Sequence, residues 1–265
     1  MISNKKALFF DIDGTLLSDV TYTVPESARA AIQKTREKGN LVFINTGRTY
    51  CLVGPIKEMI EVDGYCCGCG TRVIVGDQVM YSSGIPHELG IRVKKDVQKY
   101  NLDGVLEGTE SCYFQKKTSR IPRIEALKES VDKMGCVSPY GWEEDCYDYD
   151  KLCVIADEHS NMAGFSRALG LDFDIIDRGD RFYECVPAGH FKATAIEIVL
   201  EHYGIPRENA YVFGDSTNDL SMFEYAKNCV LMGHHDVELE PYATFFTKNV
   251  EDDGIAYAME KLGLV

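Results

Sequence analysis

Four short, uninterrupted apolar runs constrain this chain more than anything else in it: Ala7-Leu8-Phe9-Phe10, Leu41-Val42-Phe43-Ile44, Tyr211-Val212-Phe213 and Cys229-Val230-Leu231-Met232. Each is too short for a helix and lacks the alternation of a half-wet strand, so each reads as a strand covered on both faces. Between the first two, Pro25 opens a stretch with Ala28, Ala31, Ile32 and Thr35 at helical spacing, and Gly39 stands where a helix C′ residue belongs. Ahead of the third run, Ala195, Ile196, Val199, Leu200 and Tyr203 form one apolar helix face that Gly204 ends. Strand, helix and strand with short joins make a βαβ unit, and such units build a parallel sheet.

The grammar changes from about residue 82 to 186. Lys151 to Ala156 and Arg181 to Val186 read as strands, and Glu88 to Tyr100 and Ile121 to Lys133 as helices, with more tyrosine and charge between them. The expected fold class is therefore α/β: a split Rossmann-like parallel-sheet core of residues 1–81 and 187–265, with an inserted α+β domain of residues 82–186. A length of 265 residues accommodates two such domains.

Each core strand runs into polar residues. Asp11-Ile12-Asp13-Gly14-Thr15 follows the first, Asn45-Thr46-Gly47-Arg48 the second, and Gly214-Asp215-Ser216-Thr217-Asn218-Asp219 the third. Ligands of open parallel sheets bind at the carboxyl ends of the strands, so these segments are expected to converge on one crevice. Four carboxylates there repel one another unless a hard divalent cation with oxygen ligands joins them, and Mg²⁺ suits a site that keeps positions open for water and phosphate oxygens. Lys192 is the other unusual residue. It lies in the first turn of a helix, where the macrodipole disfavours a cation by about 0.3–1 kcal/mol. An ammonium directed into the crevice can hold phosphoryl oxygens, which supplies local positive charge in a chain whose net charge is −14. That net charge argues against nucleic acid or an anionic membrane surface as a partner.

Taken together, Asp11-Ile-Asp13-Gly-Thr15-Leu16, Asn45-Thr46-Gly47-Arg48, Lys192 and Gly214-Asp215-Ser-Thr-Asn218-Asp219 resemble the four motifs of the haloacid dehalogenase-like superfamily, in their usual order. The long insertion, closing with Arg181-Phe-Tyr-Glu-Cys-Val-Pro-Ala-Gly-His-Phe-Lys192, resembles the Cof-type phosphatase branch with its large α/β (C2B-type) cap. The resemblance implies phosphoryl transfer through an aspartyl-phosphate. Asp11 would be the nucleophile, and Asp13 would protonate the leaving oxygen and later deprotonate the attacking water. Thr46, Gly47 and Lys192 would hold the phosphoryl group, with Asn218 on phosphate or substrate. Asp11, Asp13 (through its backbone carbonyl), Asp215 and Asp219 (through water) would hold Mg²⁺. The expected protein is a cytoplasmic Mg²⁺-dependent phosphatase of a small phosphorylated metabolite, a sugar phosphate or phosphorylated cofactor. Two alternatives stand beside it: a phosphomutase of the same superfamily, and a phospho-aspartate regulatory protein with negligible turnover.

Plainer readings apply to some of these residues. Ser216-x-x-Asp219 is also a capping-box signature, and the two roles of Asp219 are compatible. Arg48 reads as a surface charge or an ion-pair partner, and His234-His235 as a solvated loop. No run approaches the length of a membrane span and no export signal is read at the start, so the ten cysteines read as reduced thiols. Cys66-Cys67-Gly68-Cys69 lacks the second half-site that structural zinc requires. Two places depart from the family pattern: Cys69-Gly70-Thr71 stands where many relatives carry Asn-Gly-Ala, and His234 follows Gly233 where an Asn is common.

Overall fold

The computed structural model describes residues 5–265, so the first four residues of the expected core lie outside the described region. The chain divides into two compact units. The first comprises residues 5–47, Ile56–Ser82 and Phe191–Val265; the second comprises Arg48–Pro55 and Ser83–His190.

In chain order the opening elements are β1 (Ala7–Phe10), α1 (Glu26–Glu37), β2 (Leu41–Asn45), α2 (Gly54–Met59), β3 (Gly64–Cys67), β4 (Arg72–Val75) and β5 (Gln78–Ser82). Next come α3 (His87–Lys99), β6 (Asp103–Glu107), β7 (Cys112–Tyr113), α4 (Pro122–Lys133), β8 (Lys151–Ile155), α5 (Met162–Leu169), β9 (Phe173–Asp177) and β10 (Phe182–Pro187). The chain closes with α6 (Lys192–Tyr203), β11 (Ala210–Gly214), α7 (Leu220–Tyr225), β12 (Asn228–Leu231), β13 (Phe245–Phe246) and α8 (Gly254–Lys261).

The first unit is built on one sheet of order β13-β12-β11-β1-β2-β3-β4-β5. Its first six strands are parallel, β4 runs antiparallel to β3, and β5 runs antiparallel to β4. β1 is central, with Phe10 level with Ile44 on one side and Phe213 on the other. That register brings the residues after β1, β2 and β11 to one edge of the sheet. Every residue of β1 is fully buried, as expected for an apolar run with no polar face to turn outward. Stacked rings brace the three central strands, Phe9 on Phe43 at 5.3 Å and Phe10 on Phe213 at 4.3 Å. Such pairs add about 0.5–1.5 kcal/mol beyond the area they bury.

The second unit holds a five-stranded antiparallel sheet of order β7-β6-β8-β10-β9. Leu106, Leu152, Val154 and Cys185 pack on one face with Val93 and Val97 of α3 and Phe165 and Leu169 of α5. Val105, Cys153 and Ile155 pack on the other with Ile124 and Val131 of α4. Leu52 joins this second cluster. Arg48–Pro55 therefore belongs to the second unit, whereas the sequence pattern places it in the core. None of the described helices is long and apolar enough to cross a membrane.

Candidate active site

At the sheet edge the motif segments meet. Asp11 directly follows β1, and its amide donates to the Phe213 carbonyl of β11 at 3.0 Å, which fixes the backbone beside Asp215. Gly14 has φ +78°, and a Cβ there would lie 2.5 Å from Asp215 Oδ2. Glycine is required on both counts, the left-handed backbone and the close approach of the two loops. Thr15 Oγ1 donates to Asp215 Oδ1 at 2.6 Å and orients that carboxylate.

Lys192 is the first residue of α6, and its side chain is fully buried. Its ammonium lies 2.8 Å from Asp11 Oδ1, 2.5 Å from Asp219 Oδ1 and 3.3 Å from Asn218 Oδ1. The two carboxylates offset both the unfavourable end of the helix dipole and the loss of hydration. Burial works to lower the lysine's pKa, but Asp11 and Asp219 outweigh it and hold the group above its usual range, fully charged. Asn45, at the end of β2, donates from Nδ2 to the Lys192 carbonyl at 3.0 Å and ties the second motif to the first turn of α6.

Asp219 has no exposed surface. Its Oδ1 faces Lys192, and its Oδ2 accepts from the amides of Asp215 at 2.9 Å and Ser216 at 3.2 Å. The capping geometry read from Ser216-x-x-Asp219 is therefore present, and both oxygens of the carboxylate are committed to the protein. Glycine recurs at Gly214, where a Cβ would sit 2.5 Å from Asp219 Oδ2. Asp236 secures the same loop from outside, its carboxylate accepting from the Thr217 amide at 2.8 Å and its own amide donating to the Asp215 carbonyl at 2.8 Å.

One oxygen each from Asp11, Asp215 and Asp219 lies within 4.8 Å of the others, the one grouping with metal-ligand spacing among the described residues. Burial first, then the neighbouring carboxylates, pushes Asp11 up to about 7 against the pull of Lys192, and pushes Asp215 up to about 8. Hard oxygen donors crowded enough to resist ionisation are the donor set that a small divalent cation relieves, so these residues fit Mg²⁺. Asp13 stands apart from the grouping, with its side chain exposed. Thr46 and Gly47 are buried, and the Thr46 backbone is pinned by the Cys66 carbonyl at 2.9 Å and the Cys69 amide at 3.1 Å. Cys66, Cys67 and Cys69 are buried free thiols. His235 is not solvated as its loop position suggests: its Nδ1 lies 2.6 Å from the Met232 carbonyl and its side chain is 15% exposed.

Motif reading by itself leaves Asn45 and Thr15 without assigned roles, although both stand inside quoted motifs. Asp236 carries no local signal at all, since it reaches the loop from 17 residues beyond Asp219 through folding alone.

A parallel sheet with a buried Asp-Lys-Asp group at its carboxyl edge marks an α/β protein with a charged site, and comparison with known proteins places it. The chain matches the family model described as haloacid dehalogenase-like hydrolase over residues 8–259, and it belongs to that family. It is 32% identical over 265 residues to the Bacillus subtilis protein YkrA, covering 99% of both chains. It is 25% identical to the B. subtilis 5-amino-6-(5-phospho-D-ribitylamino)uracil phosphatase YwtE, covering 97% of this chain and 98% of the other. Its fold is similar to that of the subclass IIB sugar phosphatase BT4131, with a TM-score of 0.83 and 25% identity over 98% of this chain and 100% of that one. The protein is thus an enzyme of the haloacid dehalogenase-like phosphatases.

Proposed function

We propose that the protein is a Mg²⁺-dependent phosphatase that hydrolyses a small phosphomonoester, a sugar phosphate or a phosphorylated cofactor, through an aspartyl-phosphate on Asp11. The observation that carries this reading is the buried ion group of Asp11, Lys192 and Asp219 beside Asp215. A nucleophilic carboxylate has to be ionised and held in one orientation; the Lys192 ammonium 2.8 Å away orients Asp11 and favours its ionisation against burial, and a bound cation would add to that pull. Asp11 attacks phosphorus, and the bond to the leaving oxygen breaks as that oxygen takes a proton from Asp13. The exposed position of Asp13 suits a group that exchanges its proton between turnovers. Asp13 then takes a proton from the water that hydrolyses the acyl phosphate. Thr46, Gly47, Lys192 and Asn218 hold the phosphoryl oxygens. The Asp11 and Asp215 carboxylates and the Asp13 carbonyl would hold Mg²⁺, with Asp219 supporting it through water. The cation would supply positive charge to the phosphoryl oxygens as negative charge develops there.

In this reading the first unit is the catalytic core and the second the cap that selects the substrate. The names of YwtE, a phosphatase of a phosphorylated ribitylaminouracil, and BT4131, a sugar phosphatase, support a small polar phosphomonoester as substrate.

Phosphate release from a broad panel of phosphomonoesters, with Mg²⁺ and again with chelator, tests the proposal. Metal-dependent release concentrated on a few related compounds is expected. Interconversion of hexose phosphate isomers with little free phosphate would replace the phosphatase by a mutase. A long-lived acyl phosphate on Asp11 without turnover would replace it by a phospho-aspartate switch.

A further inference from the structure

The second unit contains a thiol group that phosphate-ester chemistry does not use. Cys51 lies in the 48–55 segment, four residues after Gly47; Cys112 lies in β7; Cys136 follows α4. The sulfurs of Cys51 and Cys112 are in contact at 3.8 Å. Their surroundings are unequal. Cys112 is fully buried on a strand pinned along one side by the 136–138 segment, its amide donating to the Cys136 carbonyl at 2.7 Å and its carbonyl accepting from the Ser138 amide at 2.9 Å. Cys51 sits on a short 3₁₀ turn and keeps part of its surface open to solvent. Of the ten cysteines only Cys51 and Cys146 are not buried.

Exposure sets the two sulfurs apart, one open to solvent and the other closed to it. The Cys51 thiol donates to the Gly108 carbonyl at 3.3 Å, and its sulfur is also within hydrogen-bonding reach of Thr49 Oγ1 at 3.6 Å and of the Cys112 sulfur, where either partner can donate. The bond from Cys112, against burial and the nearby Glu107 carboxylate, lowers the Cys51 thiol below its ordinary range. The same bond, followed by burial, pushes Cys112 up. An accessible sulfur backed by a buried thiol in contact is the arrangement of an attacking and a resolving cysteine. Cys136 is otherwise engaged, donating to the carbonyls of Cys51 at 3.0 Å and Met134 at 3.3 Å.

We propose that Cys51 and Cys112 form a redox-active dithiol that reacts with low-molecular-weight disulfides of the glutathione type. The Cys51 thiolate attacks one sulfur of the disulfide, forms a mixed disulfide and expels one thiolate. The Cys112 sulfur, giving up its proton, then attacks Cys51 Sγ, closes the Cys51–Cys112 bond and expels the second thiolate. Two protein thiols are oxidised, one small disulfide is reduced to two thiols, and the two protein protons end on them. The product fastens the 48–55 segment, which continues directly from Thr46-Gly47, covalently to β7. In the reduced protein only packing and hydrogen bonds hold it there.

The test exposes the full-length protein to oxidised glutathione, blocks the remaining thiols under acid, and maps unreduced peptides by mass spectrometry. In the wild type a peptide pair joined through Cys51 and Cys112 is expected to accumulate, with glutathione on Cys51 only transient. Cys146, an exposed free thiol, should carry glutathione and shows that the reagent is active. Cys112→Ser should trap glutathione on Cys51, and Cys51→Ser should leave Cys112 unreacted, with circular dichroism confirming that both variants fold. Cys51 unmodified while Cys146 reacts, Cys51 joined to Cys136, or stable glutathione on wild-type Cys51 would each overturn the proposal. If Cys112→Ser does not fold, the wild-type peptide map and its time course decide alone.

Discussion

Asp219 Oδ1 lies 2.5 Å from Lys192 Nζ with neither side chain exposed, while the other oxygen of the same carboxylate accepts two backbone amides. One residue thereby fixes the cation and the loop that carries Asp215. In Asp219→Asn no orientation of the amide serves both sides. With oxygen toward Lys192, the NH₂ meets the two N–H donors; reversed, it meets the ammonium. The substitution is expected to destabilise the protein by about 3–5 kcal/mol, the usual cost of breaking a buried pair. Urea denaturation measures it, and a loss below 1 kcal/mol would show that the pair is not held as described.

Asp11 and Asp13 share a motif but not an environment, one buried against Lys192 and the other exposed. Asp11→Asn is expected to abolish both turnover and trapping of a phosphorylated enzyme. Asp13→Asn should slow turnover by about 10²–10⁴-fold, the worth of a general acid or base, while leaving phosphorylation of Asp11 detectable with a substrate whose leaving group needs no proton. Near-normal rates in Asp11→Asn would remove it as the nucleophile.

Gly14 links the first motif to the metal site by having no side chain. Gly14→Ala places a methyl carbon 2.5 Å from Asp215 Oδ2 on a backbone at φ +78°. The left-handed backbone alone costs roughly 1–2 kcal/mol. The displaced carboxylate should raise the Mg²⁺ concentration needed for half-maximal turnover. An unchanged Mg²⁺ dependence would show that Asp215 is not a ligand.

The meeting of Asp11, Thr46 and Asp215 was accessible from sequence because their motifs follow apolar runs with no alternative to burial. Phe9, Phe10, Phe43 and Phe213 can only be covered on both faces, and a parallel sheet then puts Asp11, Thr46 and Asp215 at one edge. The second unit is less legible. Between β7 and β8, outside α4, Trp142 and Tyr149 are buried without belonging to a strand or helix. Trp142 donates to the Tyr113 carbonyl at 2.8 Å, Tyr147 stacks on Tyr113 at 3.7 Å, and Tyr149 donates to the Gly90 carbonyl at 2.8 Å. No periodicity announces an ordered aromatic loop. β5 is hidden for the opposite reason, since its residues are mostly exposed and show no alternation. The buried row of Glu107, Lys151 and Glu184 becomes visible only once β6, β8 and β10 are side by side, with Lys151 Nζ 3.3 Å from Glu107 and hydrogen-bonded to Glu184.

Metal should also stabilise the fold, because it binds carboxylates that burial and mutual repulsion penalise when they stand alone. Mg²⁺ at 100 times its dissociation constant is expected to add about 2.7 kcal/mol, seen as a rise in melting temperature that chelator reverses. Asp215→Asn removes a ligand together with a carboxyl whose ionisation burial and its neighbours penalise, so this variant should melt no lower than the metal-free wild type and should respond little to Mg²⁺. An undiminished response to Mg²⁺ would place the cation elsewhere.

Asn45 offers a test of positioning in which the residue changed is placed neither on phosphate nor on metal. It is fully buried, its Nδ2 holds the Lys192 carbonyl at 3.0 Å, and its Oδ1 has no hydrogen-bond partner among the described residues. Such a group is costly to bury, by about 1–3 kcal/mol for the unmet acceptor, so its retention calls for a return elsewhere. The return is alignment: the end of β2 carries Thr46, the start of α6 carries Lys192, and this bond ties the two segments together. Asn45→Ala relieves the orphaned oxygen as it cuts the link, so stability should change less than a buried polar deletion normally does. Turnover should fall instead, with kcat reduced more than KM is raised, because misalignment of the ammonium acts on the transition state more than on the bound ester. Asn45→Gln, which keeps the amide but displaces it by one methylene, should not restore the rate. A large loss of stability with kcat unchanged would make Asn45 a packing residue and nothing more.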